Sequence, residues 1–167
     1  VLVSGAGPIG LLLAAAASRL GARSVSVSDV LEGPLSRARA LGADATYRTP
    51  ADELPAEQFD VDFECSANPR ALSAALVAVR RAGQVVQVGM FGAAPIELAI
   101  APLVSKEVSL VGTFRFVDEI DQAITLLASD PLIASAITHV FDIDEAEQAF
   151  ATAKDSEASG KVLIRIA

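Results

Sequence analysis

Val1-Leu2-Val3-Ser4-Gly5-Ala6-Gly7-Pro8-Ile9-Gly10, followed by Leu11 to Leu20 and closed by Ser24-Val25-Ser26-Val27-Ser28-Asp29, reads as one mechanical unit. Val1 to Ser4 is a short β-rich apolar run and Gly5 to Gly10 is a G-x-G-x-x-G turn. Ile9 to Leu20 has the Leu and Ala content of a helix, and Ser24 to Ser28 is a second strand running into Asp29. Strand, turn, helix, strand and acid in that order form the layout of a dinucleotide site, and the context carries more weight than the bare glycines. Gly5 permits the tight turn, Gly7 lets the backbone approach a pyrophosphate, and Gly10 lets the helix lie close to the strand. Pro8 falls at the first helical position, where its missing N–H is no loss. The free N–H groups and positive dipole end of that helix suit a pyrophosphate. Asp29 lies nineteen positions after Gly10, close to the spacing of about 20 residues for the acid that accepts from the adenosine ribose hydroxyls. Its carboxylate repels a 2′-phosphate, which favours NAD over NADP. Two other readings stand beside this one: a βαβ unit whose glycines serve packing alone, and a site for another nucleoside such as S-adenosylmethionine.

A chain of 167 residues is long enough for one domain with a sizeable core and has room for an appendage. Its apolar runs are short, the longest being Ile9 to Ala17, well below the roughly 18 residues that suggest a membrane span. With 13 basic against 21 acidic residues and no Lys/Arg cluster, nucleic acid is not an expected partner. The single cysteine, Cys65, and the single histidine, His139, are far apart in sequence and make a poor start for a zinc site. They also exclude a disulfide framework, and no signal peptide is visible, so a reducing cytoplasm is expected. The chain opens on Val1 inside a strand, as a piece of a longer protein would.

Strands and helices alternate along the chain. After Asp29 a helix is predicted from Pro34 to Leu41, stopped at Gly42, followed by a short strand from Ala45 to Arg48. Phe59 to Cys65 is a fourth strand, with Val61, Phe63 and Cys65 on one face and Asp60, Asp62 and Glu64 on the other. Asn68 and Pro69 start a helix that runs to about Arg81. Gln84 to Val88 and Val108 to Gly112 are strands five and six, separated by one or two helical turns over Pro102 to Lys106, and Phe116 to Ser129 is helical. Six strands with right-handed crossovers predict an α/β Rossmann fold, a doubly wound parallel sheet of order 3-2-1-4-5-6 whose cleft opens at the C-terminal strand ends. The rhythm breaks after residue 134. Ile137 to Phe141 and Gly160 to Ile166 read as strands, with a helix over Asp144 to Ala153 capped by Asp142 or Asp144. The segment 135–167 either extends the main sheet or forms a separate lobe beside a nucleotide-binding domain of residues 1–134.

In such a fold the ligand-facing positions follow strands one, two, four, five and six. Here they are Gly5 to Gly10, Asp29, Ser66 to Asn68, Val88 to Met90 and Thr113 to Arg115. These are mostly backbone and small side chains, suited to holding a cofactor, with no acid–base pair for catalysis. Glu64 either approaches the cofactor or bonds locally ahead of the next helix. Cys65 reads as a buried small hydrophobe and His139 as structural. Arg115, between Phe114 and Phe116, either anchors a polar substrate or cofactor phosphate or pairs with an acid across a subunit contact.

The chain resembles the zinc-dependent medium-chain alcohol and polyol dehydrogenases along its whole length. The resemblance rests on Val3 to Gly10, Asp29, Leu41-Gly42-Ala43-Asp44, Asp60 to Ser66, Val85 to Met90 and Gly112-Thr113-Phe114-Arg115. The last two blocks are most similar to the sorbitol and L-idonate 5-dehydrogenase branch. The resemblance implies that Gly5, Gly7, Pro8, Ile9 and Gly10 lie under the pyrophosphate and that Asp29 holds the ribose. It further implies that Ser66 faces the cofactor, that Val88, Gly89, Met90, Thr113, Phe114 and Arg115 line the nicotinamide, and that Arg115 and Phe116 approach a polyol or sugar-acid substrate. Two departures stand out: Pro34 replaces an Arg that relatives often carry near the adenine, and the catalytic domain that supplies the zinc ligands is absent. The expectation is therefore the NAD-binding part of a zinc-dependent polyol or sugar-acid dehydrogenase, inactive alone. By that resemblance the segment 135–167 returns to the missing domain. A non-catalytic nucleotide-sensing module and an S-adenosylmethionine-dependent methyltransferase are the alternatives. The apolar run Val108 to Val111 on edge strand six invites a homo-oligomer.

Overall fold

A computed structural model describes residues 1–166. β1 (Leu2–Ser4) lies at the middle of a six-stranded parallel sheet. It is followed by α1 (Pro8–Arg19), β2 (Ser26–Asp29), α2 (Glu32–Ala40), β3 (Ala45–Arg48), β4 (Phe59–Glu64), α3 (Pro69–Ala78), β5 (Val79–Gln87), α4 (Ala101–Ser105) and β6 (Ser109–Gly112). The strand order is β3-β2-β1-β4-β5-β6, the predicted Rossmann arrangement. Winding reverses between β1 and β4, where a crevice forms at the C-terminal strand ends.

Both faces of the sheet are covered, and in β1 the successive residues Leu2 and Val3 are buried on opposite faces. Val3, Val25 and Val27 pack with Leu11 and Ala14 of α1 and Leu35 and Ala38 of α2. Leu2 and Val85 point to the opposite face and pack with Leu72, Ala75 and Leu76 of α3 and with Val108. β6 is an outer strand, and all four of its residues are exposed.

Several boundaries differ from the sequence reading; β5 begins at Val79, five residues before Gln84, and three helices shift as follows. α2 begins at Glu32, two residues before Pro34, because proline is tolerated within the first turn of a helix. α3 ends at Ala78, not near Arg81, and Val79 turns directly into β5. The cause is a distant side chain: buried Lys106 donates from Nζ to the Val77 and Val79 carbonyls, satisfying acceptors that a longer helix would have used. Burial also lowers the Lys106 pKa from its ordinary value. α5 spans Ile120–Ser129, starting four residues later than expected, and none of its residues is fully buried.

A short α6 (Pro131–Ala134), unanticipated from sequence, is capped by Asp130, whose side chain accepts from Leu132 N at 2.9 Å and pairs with Arg19 of α1. Beyond it, β7 (Ile137–Asp142) and β8 (Lys161–Arg165) form their own two-stranded parallel sheet, joined by α7 (Ala146–Lys154). The segment does not extend the main sheet. Asp142 and Glu145 form a capping box on the 3-10 turn that precedes α7. The α7–β8 loop is pressed onto α2. Gly33 N donates to Glu157 Oε1 at 3.0 Å, and Arg37 donates to the carbonyls of Glu157 and Ser156. A Cβ on Gly33 would stand 2.0 Å from the Glu157 carbonyl oxygen, so only glycine fits.

Replacing Lys106 by Met keeps the stem but removes the ammonium from the buried Val79 carbonyl and leaves Val77 O with the Glu57 N–H alone. We expect a loss of about 1–3 kcal/mol in urea unfolding; no change would show that the ammonium is not what ends α3.

Candidate functional site

The glycine turn is shaped by close approach. Gly5 has φ +100° and donates from N to the Ser28 carbonyl at 2.8 Å. A Cβ on Gly10 would lie 1.8 Å from the Gly5 carbonyl oxygen, so α1 sits against the turn as it does only because that side chain is missing. Gly7 is different: a Cβ there would meet nothing within 4 Å. It is the N-terminal cap of α1, no side chain bonds that helix end, and Pro8 follows as the first helical residue. The first-turn N–H groups therefore open onto free space, as a pyrophosphate site requires.

Asp29, at the tip of β2, is tied to this turn. Its Oδ2 accepts from Ala6 N at 2.7 Å and its Oδ1 from Leu31 N at 3.0 Å. Each oxygen keeps a further acceptor site for a hydroxyl.

Two acids of β4 lie at the middle of the sheet, both fully buried on the α3 face. The alternation read from the sequence is present, but it is the acid face that is covered, while Val61 and Phe63 on the other face are half-buried. Glu64 is the local bonding partner that its position ahead of a helix suggested. Oε1 accepts from Ser66 N at 2.8 Å and from Ser66 Oγ, while Oε2 accepts from Ala67 N at 3.1 Å and from Gln87 Nε2. Gln87 Nε2 also donates to the Gly89 carbonyl at 2.7 Å. Glu64 thus fastens the loop after β4 to the loop after β5, and both flank the cleft. The Ser66–Ala67 turn is wedged in place, with Ser66 against Gly5 and Ala67 against Gly89. Asp62 has far less: Ser4 Oγ donates to its Oδ2 at 2.8 Å, and its Oδ1 has no partner among the described residues. Burial pushes the Asp62 carboxyl up to about 7, with the Ser4 bond opposing and the neighbouring Glu64 charge adding to the rise.

An open groove of about 430 Å³ runs along the other side of the turn, lined by Ile9, Leu13, Phe63, Val86, Val88, Thr113, Phe114 and Arg115. Five residues singled out from sequence come together there: Ile9, Val88, Thr113, Phe114 and Arg115. Arg115 has φ +60°, and its guanidinium lies 4.8 Å over the Phe114 ring. Met90 and Phe116 are outside the lining, 74% and 62% exposed. Leu13, Phe63 and Val86 were missed from sequence; the odd-numbered apolar face of strand four and the α1 periodicity were the signals that pointed to them.

Cys65 is half-buried against the first core, and burial pushes its thiol up to about 12, so it carries no thiolate near neutrality. His139 is on β7, away from the groove lining, stacked on Phe141 with ring centroids 6.1 Å apart and Nδ1 at 2.9 Å from Thr138 Oγ1. Among the described residues, no three His, Cys, Asp or Glu side chains converge to hold a metal ion, and none of their helices is long and apolar enough to cross a membrane.

A doubly wound sheet with a glycine turn, an acid at the tip of β2 bonded to that turn and an apolar groove at the switch point defines a Rossmann α/β architecture. The family model described as zinc-binding dehydrogenase matches residues 8–129, and the chain belongs to that family. It is 36% identical over 170 residues to L-idonate 5-dehydrogenase (NAD(P)(+)) of Escherichia coli strain K12, covering 97% of this chain and 49% of that protein. To sorbitol dehydrogenase of Mus musculus it is 33% identical over 165 residues, covering 92% and 46%. The crystal structure of the Escherichia coli L-idonate 5-dehydrogenase superposes with a TM-score of 0.87 at 34% identity, over 98% of this chain and 49% of that one. The chain spans about half the length of the curated relatives it matches.

Two outcomes test the buried acids. Glu64→Gln turns an NH2 toward groups that themselves donate, and we expect about 3 kcal/mol lower stability by chemical denaturation; a neutral result would mean that the four bonds are not needed. The Asp62 carboxyl has a folded-state pKa above its ordinary 3.8. Its contribution to stability is therefore complete at low pH and is lost as pH rises toward and through about 7, by up to about 4 kcal/mol. Unfolding curves from pH 4 to 8 should show that decline, and Asp62→Asn should flatten it.

Proposed function

We propose that the chain is the cofactor-holding part of an NAD-linked polyol or sugar-acid dehydrogenase. The reading rests above all on the open glycine turn at the α1 N-terminus with Asp29 bonded to it. Its residues fit the dinucleotide: the space beside Gly7 and the first-turn N–H groups take the pyrophosphate, and the Asp29 oxygens take the adenosine ribose hydroxyls. Ser66, Val88, Gly89, Met90, Thr113, Phe114 and Arg115 bound the nicotinamide side. When bound, NAD supplies the acceptor for a hydride from a secondary alcohol carbon.

The chain's own part is positional. Ile9 and Val88 give the ring an apolar bed, Glu64 and Gln87 hold the flanking loops, and Arg115 and Phe116 face the substrate side, where a guanidinium suits hydroxyl or carboxylate groups. The E. coli relative's name includes both NAD and NADP; for this chain the Asp29 carboxylate favours NAD. As the cofactor-holding part, the chain leaves the alcohol-activating step to residues outside those described. Polyols and sugar acids are the substrate class because the two relatives named above act on L-idonate and sorbitol. The exposed β6 edge is the place where a second copy would pair, and the high-pKa thiol suits a reducing cytoplasm.

Titration calorimetry should show NAD binding that is weakened at least tenfold in Asp29→Ala, with a smaller loss for NADP. Equal losses would show that the carboxylate does not read the ribose. The same protein should oxidise no polyol in an NADH absorbance assay; turnover would overturn the division of labour.

A further inference from the structure

Glu64 and Asp62 share one strand and one buried face, yet only Glu64 is furnished to carry a charge. Four donors surround its carboxylate, whereas Asp62 has the single Ser4 hydroxyl and one oxygen with no partner among the described residues. Ser4 immediately precedes Gly5, and Asp62 is in register with Leu2, three residues before that glycine. At about 3.3 Å per strand residue, this puts Asp62 roughly 10 Å from the mouth of the turn, through protein and not through water. Packed around it are apolar groups, with Leu2 and Val85 beside it in register and Leu72, Ala75 and Leu76 in the same cluster from α3. The charged group acting on it is Glu64 on its own strand, and the neighbouring titratable group is the neutral Cys65 thiol that follows that strand.

We propose that Asp62 is a proton-linked control on the cleft: dinucleotide binds tightly while this carboxyl is neutral and more weakly once it is ionised. The inference rests on the reading of Gly5 to Gly10 as a pyrophosphate site. A bound pyrophosphate brings two negative charges to the end of the strand beside Asp62. At an effective dielectric constant of about 20, each like charge at about 10 Å weakens binding on the order of tenfold, and the pair on the order of a hundredfold. Linkage is reciprocal, so bound dinucleotide must hold the proton on Asp62 more firmly. Burial has already brought this carboxyl to about 7, which sets the transition near neutrality. Affinity is full on the acid side and falls as pH rises through that region.

The test is the NAD dissociation constant of the protein from pH 5.5 to 8.5. The unsubstituted protein should lose on the order of a hundredfold across this range, whereas Asp62→Asn should bind with a pH-independent constant near the acid-side value. His139→Gln should keep the full slope. A slope that survives in Asp62→Asn, or its loss in His139→Gln, overturns the proposal. A second measurement does not depend on any variant folding. The carbon-13 carboxyl resonance of Asp62 should titrate at a higher pH with saturating NAD than without it, and an unmoved midpoint overturns the proposal while leaving the cofactor site intact. Absence of NAD binding at every pH would overturn the cofactor reading itself, and this proposal with it.

Discussion

The carboxylate of Glu64 gathers donors from three places: the Ser66 backbone and hydroxyl, the Ala67 backbone, and the Gln87 amide. Those groups belong to the loops after β4 and β5, and the first of them is braced against the glycine turn after β1. A parallel sheet ends its strands at one rim, but that alone does not hold the loops there in register with one another. Here a single buried charge does so. Its burial is tolerable because every donor it needs is supplied within two or three residues or from the adjacent strand. The glycines complete the arrangement by subtraction: a side chain at Gly5 or Gly89 would strike the Ser66–Ala67 turn, and one at Gly10 would strike Gly5.

Sheet order and the glycine turn were legible in the sequence because each depends on local signals. Apolar runs of strand length, helix-entry residues such as Pro8 and Asn68-Pro69, and the nineteen-residue step to Asp29 are all short-range patterns. What the sequence hid was decided by residues far apart in the chain. α3 stops early because Lys106 reaches its last carbonyls from 27 to 29 positions away. The three aspartate and glutamate side chains of Asp60-Val61-Asp62-Phe63-Glu64 alternate as a solvated face would, yet two of them are buried, since the partners that receive them come from β1, β5 and the loop after β4. The groove was half visible. Its loop residues follow from strand ends, whereas Leu13, Phe63 and Val86 enter it from element interiors.

Length and surface agree. The chain matches about half of each relative, and large apolar side chains stand in the open where a compact domain would hide them. Ile120, Ile124 and Leu127 form one exposed stripe on α5, and Phe114, Phe116 and Val117 lie just ahead of it. Of these, Phe114 lines the groove beside Arg115.

Gly33 has one more consequence. With no room for even a methyl group between α2 and the Glu157 carbonyl, and with Arg37 bonded to the same loop, the β7–β8 pair is clamped to the helix that follows Asp29. Anything covalently continuous with β8 is thereby coupled mechanically to α2 and, through it, to the Asp29 side of the cleft.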